Sequence, residues 1–289
     1  MNQIYLKTRA KINLTLNVLN KRPDNYHNIE SVFQKISLYD ELFIEKNSSN
    51  NFELTCNIKE LETESNILFK TYKKLKELFP TISGVSVKLI KNIPMQAGLG
   101  GGSTNCAGFI NGMNLLFNLN LSKSNMIEIG KTLGADVVPC MYNTVKSEGI
   151  GDIVTPFSSN LKYYILVVKP NFKCNTKLMY EKLDNNLNLN QLFYTNDVIN
   201  ILKNGETKDL ENKLYNIFEY AIEQKELLDT LKNDFINSGA IDSLLSGSGS
   251  CIYGIYLNKK DIKNAYNFMK NKYDYEFYKC VSYNNFKEN

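Results

Sequence analysis

Ile12, Leu14, Leu16 and Val18 alternate with Lys11, Asn13, Thr15 and Asn17. This period of two predicts a half-buried strand with one apolar and one polar face. A second strand is predicted over 31–45, in two pieces broken near Tyr39, Asp40 and Glu41. A helix is predicted over 66–79, stopped by Pro80. Alternation returns at Val85-Ser86-Val87-Lys88-Leu89, whereas Cys106, Ala107, Phe109, Ile110, Met113, Leu116 and Phe117 recur at helical spacing. Further helices are predicted around 123–133 and through most of 185–231, where Leu214, Ile217, Phe218, Ala221, Ile222 and Leu228 form one stripe. Tyr163 to Val168 reads as a buried strand, 251–257 as another, and Ile262, Ala265, Phe268 and Met269 mark an amphipathic helix. No internal repeat or low-complexity tract interrupts this order.

Between the alternating run at 85–89 and the helix after it stands Pro94-Met95-Gln96-Ala97-Gly98-Leu99-Gly100-Gly101-Gly102-Ser103-Thr104. Strand, glycine loop and helix is the order of a phosphate cradle. Glycines let the backbone approach an anion, and the helix's first turn points its N–H groups at it. Ser103 or Thr104 is the expected cap. No Gly-Lys-Ser/Thr follows, which sets the loop apart from Walker A, and Ser103 replaces the third glycine of the dinucleotide fingerprint. A glycine turn serving only packing stays open as the plain alternative. A second glycine turn, Ser246-Gly247-Ser248-Gly249-Ser250, precedes the strand at 251–257, and Asp136 lies in Gly134-Ala135-Asp136-Val137-Val138-Pro139 among small and apolar neighbours.

With 289 residues and 43% hydrophobic content, the chain suits two domains of ordinary size. We expect 1–156 and 157–289, with 157–160 as a linker. The net charge of +4 comes from interspersed residues, which makes no electrostatic case for nucleic acid or an anionic membrane. The N-terminus does not have the layout of a signal peptide and no run has the length of a membrane span, so the cytoplasm is the expected location. Six scattered cysteines, without C-x-x-C and with His27 as the one histidine, read as reduced structural thiols rather than a zinc site. Taken alone, Asp136 reads first as a turn aspartate, Lys11 as an exposed strand lysine and His27 as a structural histidine.

Five stretches in order change those readings. They are Ala10-Lys11-Ile12-Asn13-Leu14, Arg22-Pro23-Asp24-Asn25-Tyr26-His27, Gly98 to Ser103, Leu133-Gly134-Ala135-Asp136-Val137 and Leu245 to Cys251. Together they resemble the motifs of the GHMP small-molecule kinase superfamily, whose second motif, P-x-x-x-G-L-G-x-x, fits Pro94 to Gly102. Within it they are most similar to the branch whose acceptor is a cytidylated polyol of isoprenoid precursor synthesis. The resemblance implies a two-domain α+β architecture: a ribosomal-protein-S5-like N-terminal domain, an α/β-plait-like C-terminal domain, and the active site in the cleft. It also implies transfer of the ATP γ-phosphate to the 2-hydroxyl of that polyol, without a covalent enzyme intermediate. Asp136 is then the base and Lys11 the cation beside it; 94–104 hold ATP, and Gly247, Ser248 and Gly249 form the third motif.

Asn13, Tyr26, His27 and Tyr180 are implied substrate contacts, Tyr26 and Tyr180 by stacking on cytosine and His27 by reading its edge. Gly102 stands where many members carry a magnesium-binding serine. Mg2+ is therefore expected to be held mainly by the nucleotide, with no dedicated protein ligand and Ser103 or Thr104 as helpers. Asn25 replaces a glycine and is expected to keep its left-handed turn, and Pro139 comes one residue later than usual. The implied partners are small molecules, and the implied state is a monomer or weak homodimer. A homoserine- or mevalonate-type kinase is disfavoured by the Tyr26-His27 pair and the triple glycine. A non-catalytic ligand sensor on the same fold is disfavoured by the retention of Lys11 and Asp136.

Overall fold

The computed structural model describes residues 2–185 and 194–284. The chain packs into two units, one of residues 1–10, 38–95 and 100–141, the other of 11–37, 96–99 and 142–289. The strands β1 (Gln3–Lys21) and β2 (His27–Lys46) contribute to both.

In the first unit follow β3 (Phe52–Cys56), α1 (Ile67–Leu78), β4 (Val85–Ile90), α2 (Gly101–Phe117) and α3 (Lys123–Lys131). The strand order is β3-β4-β2-β1, with β3 parallel and β2 antiparallel to β4. Leu42, Ile44, Val87 and Leu89 from the sheet pack with Leu68 and Leu75 of α1 and with Phe109, Ile110 and Met113 of α2 in one core. Asn66 caps α1 by accepting from Leu68 N at 2.9 Å, and Phe79 closes it before Pro80.

The second unit adds β5 (Thr144–Glu148), β6 (Ile153–Pro156), β7 (Tyr164–Lys169), α4 (Thr176–Asp184), α5 (Thr195–Asn204) and β8 (Tyr215–Asn216). It continues with α6 (Lys225–Asn237), β9 (Asp242–Leu245), β10 (Ile252–Tyr256), α7 (Lys259–Lys272) and β11 (Glu276–Val281). One set of strands runs β6-β5-β2-β1-β8, and a separate antiparallel sheet runs β11-β7-β10-β9. Leu16, Val18 and Ile29 share a core with Leu166 and Val168 of β7, Leu231 and Phe235 of α6, and Met269 of α7.

Four expectations are corrected. The face of β1 read as exposed is buried: residues 8–18 are all buried, Lys11 at 4% exposure and Asn13 at 1%. β2 is not broken near 40, because the buried Asp40 carboxylate accepts from Asn92 N and Ile93 N at 2.8 Å each and from the Lys91 ammonium. The stripe from Leu214 to Leu228 is buried throughout but is not one helix. β8, a 3-10 turn over Ile217–Tyr220 and the start of α6 divide it, while residues 186–193 of the expected helical stretch lie outside the described residues. Phe268 is 43% exposed on the outer face of α7, whose buried positions are Ile262, Ala265 and Met269. No helix among the described residues is long and apolar enough to cross a membrane.

Candidate active site

Gly98 and Gly100 take φ of 77° and 66°, which lets the loop turn sharply into α2. A side chain at Gly98 would also begin 1.9 Å from the Ser246 carbonyl oxygen, so the loop and the second glycine turn pack backbone to backbone there. The cap of α2 is left-handed Gly100, not Ser103 or Thr104, which both lie inside the first turn. Thr104 N donates to Gly100 O at 2.9 Å, while the earlier N–H groups of this 17-residue helix have no intrahelical acceptor. No acidic residue occupies the first turn to satisfy them.

Two neighbouring glycines have different reasons. A Cβ at Gly101 would meet Lys91 Nζ at 2.9 Å and Ile93 Cγ2 at 3.1 Å, so packing demands that glycine. A Cβ at Gly102 would meet nothing within 4 Å. Packing does not require glycine there, and the open space beside the positive end of α2 fits an incoming phosphate. Of the remaining loop residues, Met95 and Gln96 are exposed, Pro94 and Ser103 half-buried, and Ala97, Leu99 and Thr104 buried.

Lys11 N donates to Leu99 O at 3.0 Å, Cys251 N to Ala97 O at 3.1 Å and Ser246 Oγ to Gly98 O at 3.0 Å. The early strand, the loop residues 96–99 and the second turn are thus tied together by hydrogen bonds to the loop carbonyls. The Cβ direction of Gly247 points at Gly98 and, at 3.4 Å, at Lys11 Nζ. That ammonium donates to Asn13 Oδ1 at 2.7 Å and lies 4.6 Å above the Phe33 ring. Asn13 in turn donates to Ser31 Oγ at 2.8 Å, and its carbonyl accepts from Tyr253 OH at 2.7 Å. A lysine held this way is preorganised rather than floppy.

Asp136 lies in the first unit, half-buried in the 3-10 turn Ala135–Val137, with buried Val137 and Val138 behind it and Pro139 opening the next turn, Pro139–Met141. Lys11 belongs to the second unit.

Tyr26 and His27 end the turn between β1 and β2. Asn25 takes φ of 66°, as expected of the residue standing in for glycine, and Tyr26 O accepts from Arg22 N at 2.8 Å. Tyr26 is 58% exposed, while His27 is buried and stacked on Tyr180, ring centroids 4.7 Å apart at 18°. The structure therefore brings His27 and Tyr180 together, and one face of Tyr180 is taken by the imidazole. At the other end of α4, Thr176 Oγ1 and Ser248 Oγ are 2.6 Å apart, joining this helix to the third motif.

Sequence reasoning missed Asp184, which lies 2.6 Å from His27 Nε2 and 2.7 Å from Lys21 Nζ. Its signal was available: Thr176, Tyr180 and Asp184 are spaced four apart and share a helix face. It also missed the buried Asp40–Lys91 pair beside Gly101, one charge within β2 and the other directly after β4. The cysteines are free thiols; burial pushes Cys174 up to about 11 and Cys106 to about 12, which keeps both protonated.

The family model for the GHMP kinases N terminal domain matches residues 66–144, and that for the GHMP kinases C terminal matches 198–274. A protein of Alkaliphilus oremlandii (strain OhILAs) named 4-diphosphocytidyl-2-C-methyl-D-erythritol kinase is 35% identical over 291 residues, spanning 98% of this chain and 98% of its own. The chain belongs to the GHMP kinases. A protein of the same name from Acetivibrio thermocellus is 37% identical over 277 residues, 94% of this chain and 96% of its own. The crystal structure of a 4-(cytidine 5'-diphospho)-2C-methyl-D-erythritol kinase shares the fold, with a TM-score of 0.83 at 23% identity over 97% of this chain and all of that one. As a GHMP kinase the protein is an α+β enzyme that uses ATP.

Proposed function

We propose that this GHMP kinase transfers the γ-phosphate of ATP to the 2-hydroxyl of 4-diphosphocytidyl-2-C-methyl-D-erythritol, a step of isoprenoid precursor synthesis. The observation that carries the reading is the near full-length likeness to relatives of that name. The phosphates lie along 94–104 and the first turn of α2, where N–H groups without an intrahelical acceptor and the open side of Gly102 receive them. Gly247, Ser248 and Gly249 back the loop. Asp136 accepts the proton of the acceptor hydroxyl as its oxygen bonds to the γ-phosphorus and the bond to ADP breaks. Lys11, fixed by Asn13, supplies positive charge for the oxygen anions. Mg2+ would be carried mainly by the nucleotide, with Ser103 or Thr104 as the helping hydroxyls, and would supply positive charge against the phosphates. Tyr26 stacks on the cytosine, His27 reads its edge, and Tyr180 supplies the second aromatic ring.

The family domains are taken as 1–156 and 157–289; in support, the two matched ranges fall one on each side of Pro156. The partners of this reading are small molecules, and it describes a cytoplasmic monomer or weak homodimer. Its test is ATP turnover by the purified protein against the cytidylated polyol, free methylerythritol, homoserine and mevalonate. Turnover of the cytidylated compound alone is expected; comparable turnover of homoserine or of the free polyol would overturn the assignment.

A further inference from the structure

His27 is the chain's one histidine, and its side chain is 8% exposed. Nε2 lies 2.6 Å from Asp184 Oδ1, and Asp184 Oδ2 accepts from Lys21 Nζ at 2.7 Å. The ring lies flat on Tyr180, which meets Phe218 edge to face at 4.9 Å. Tyr180 and Asp184 are one turn apart on α4, so a single helix face fixes the imidazole both in plane and in rotation. Nδ1 has no hydrogen-bond partner among the described residues.

The proton on this ring can be placed by chemistry. The Lys21 hydrogen bond, with that of His27, holds the Asp184 carboxyl below the usual carboxylate range. It is therefore ionised, and an ionised carboxylate only accepts. The 2.6 Å contact requires the hydrogen to sit on Nε2. A neutral imidazole has one such hydrogen, so Nδ1 keeps its lone pair.

We infer that Asp184 is a positioning residue that sets base specificity: by keeping the proton on Nε2 it presents Nδ1 as an acceptor, fitted to the exocyclic amino group of cytosine and opposed to the carbonyl of uracil. The inference rests on the proposed cytidylated acceptor. Cytosine carries a donor where uracil carries an acceptor, and two facing acceptors leave a buried lone pair without a hydrogen. Sites built to hydrogen-bond a substrate group reject the analogue without it strongly. In Asp184→Asn the amide can turn its NH2 toward Nε2, which releases the ring proton to Nδ1 and makes that atom a donor.

Because the histidine is single, its nitrogen NMR shifts report this tautomer without ambiguity. At alkaline pH the substrate-free enzyme should show the Nε2–H form, and an Nδ1–H form would overturn the inference with no variant needed. In parallel, kcat/KM is measured for the cytidylated polyol and its uridylated analogue. The ratio should fall about ten-fold or more in Asp184→Asn, with the KM for ATP unchanged and selectivity recovered in part by Asp184→Glu. A folded Asp184→Asn enzyme that keeps the full ratio would refute the role of Asp184. Inability of the wild-type enzyme to use any cytidylated polyol would instead remove the proposed function, and this inference with it. An Nδ1–H ring in an enzyme that does use the cytidylated polyol would remove only the inference.

Discussion

In the proposed mechanism Asp136 acts on the acceptor, not on the nucleotide. Asp136→Asn should therefore lower kcat about a hundred- to ten-thousand-fold while ATP affinity stays within a few-fold, read by steady-state kinetics and nucleotide titration. A near-normal kcat would remove it from the chemistry. The glycines beside α2 separate in the same way. Gly101→Val drives its side chain into Lys91 and Ile93 and should cost about 1–3 kcal/mol of stability. At Gly102→Val the new Cβ has no neighbour within 4 Å, so the variant should melt near the wild-type temperature yet bind ATP poorly. Unchanged ATP affinity by calorimetry would show that phosphate does not use that space. The loop was legible in the sequence because glycine runs are conspicuous, and Asn25 was legible because few residues tolerate its φ of 66°. Which glycine serves packing was not legible, since Lys91 and Ile93 reach Gly101 only through the fold. The burial of Lys11 was hidden for a similar reason: its alternation marks a strand, but not what covers the polar face.

At the level of elements, apolar pattern predicted burial better than it predicted geometry. All six residues of the 214–228 stripe are buried, yet Tyr215 and Asn216 pair with Thr15 and Leu16 of β1 as a parallel strand. A period between three and four is met as well by 3-10 turns as by an α-helix, and a distant strand decided the matter. The neighbouring β9 opens on Asp242, whose carboxylate accepts from Ser243 N at 2.7 Å and from Leu214 N at 3.4 Å. Burial, the largest cause, pushes its pKa from 3.8 to about 6; Glu219 adds to the rise, while Lys232 and the backbone donors oppose it. Between those values the folded chain binds a proton that the unfolded chain releases. Stability from this group is thus greatest below pH 3.8, falls as pH rises to 6 and stays lost above it. Asp242→Asn should raise the melting temperature at pH 8, by at most about 3 kcal/mol of stability, and do little at pH 4. Equal shifts at both pH values would contradict a titrating carboxylate.

For the whole molecule, the motif order was readable but the packing division was not. The chain passes between its two units after residues 10, 37, 95, 99 and 141, and the first two of these crossings fall inside continuous strands. Composition near Pro156 cannot reveal that, because the deciding contacts are long-range pairings such as Thr15 with Tyr215 and Ser31 with Ser147. Expression in two pieces tests the consequence. A fragment of 1–156 contains every residue of the first unit and should show a cooperative melt. A fragment of 157–289 loses Leu16, Val18 and Ile29 from its core and leaves β8 without a partner. At about 1.5–3 kcal/mol for each buried aliphatic side chain, the loss approaches the roughly 5–15 kcal/mol that stabilises an ordinary domain. That fragment should give a poorly dispersed amide spectrum alone and a dispersed one when co-expressed with 1–156. A 157–289 fragment that melts cooperatively by itself would show that the segments supplied by β1 and β2 are dispensable to the core they enter.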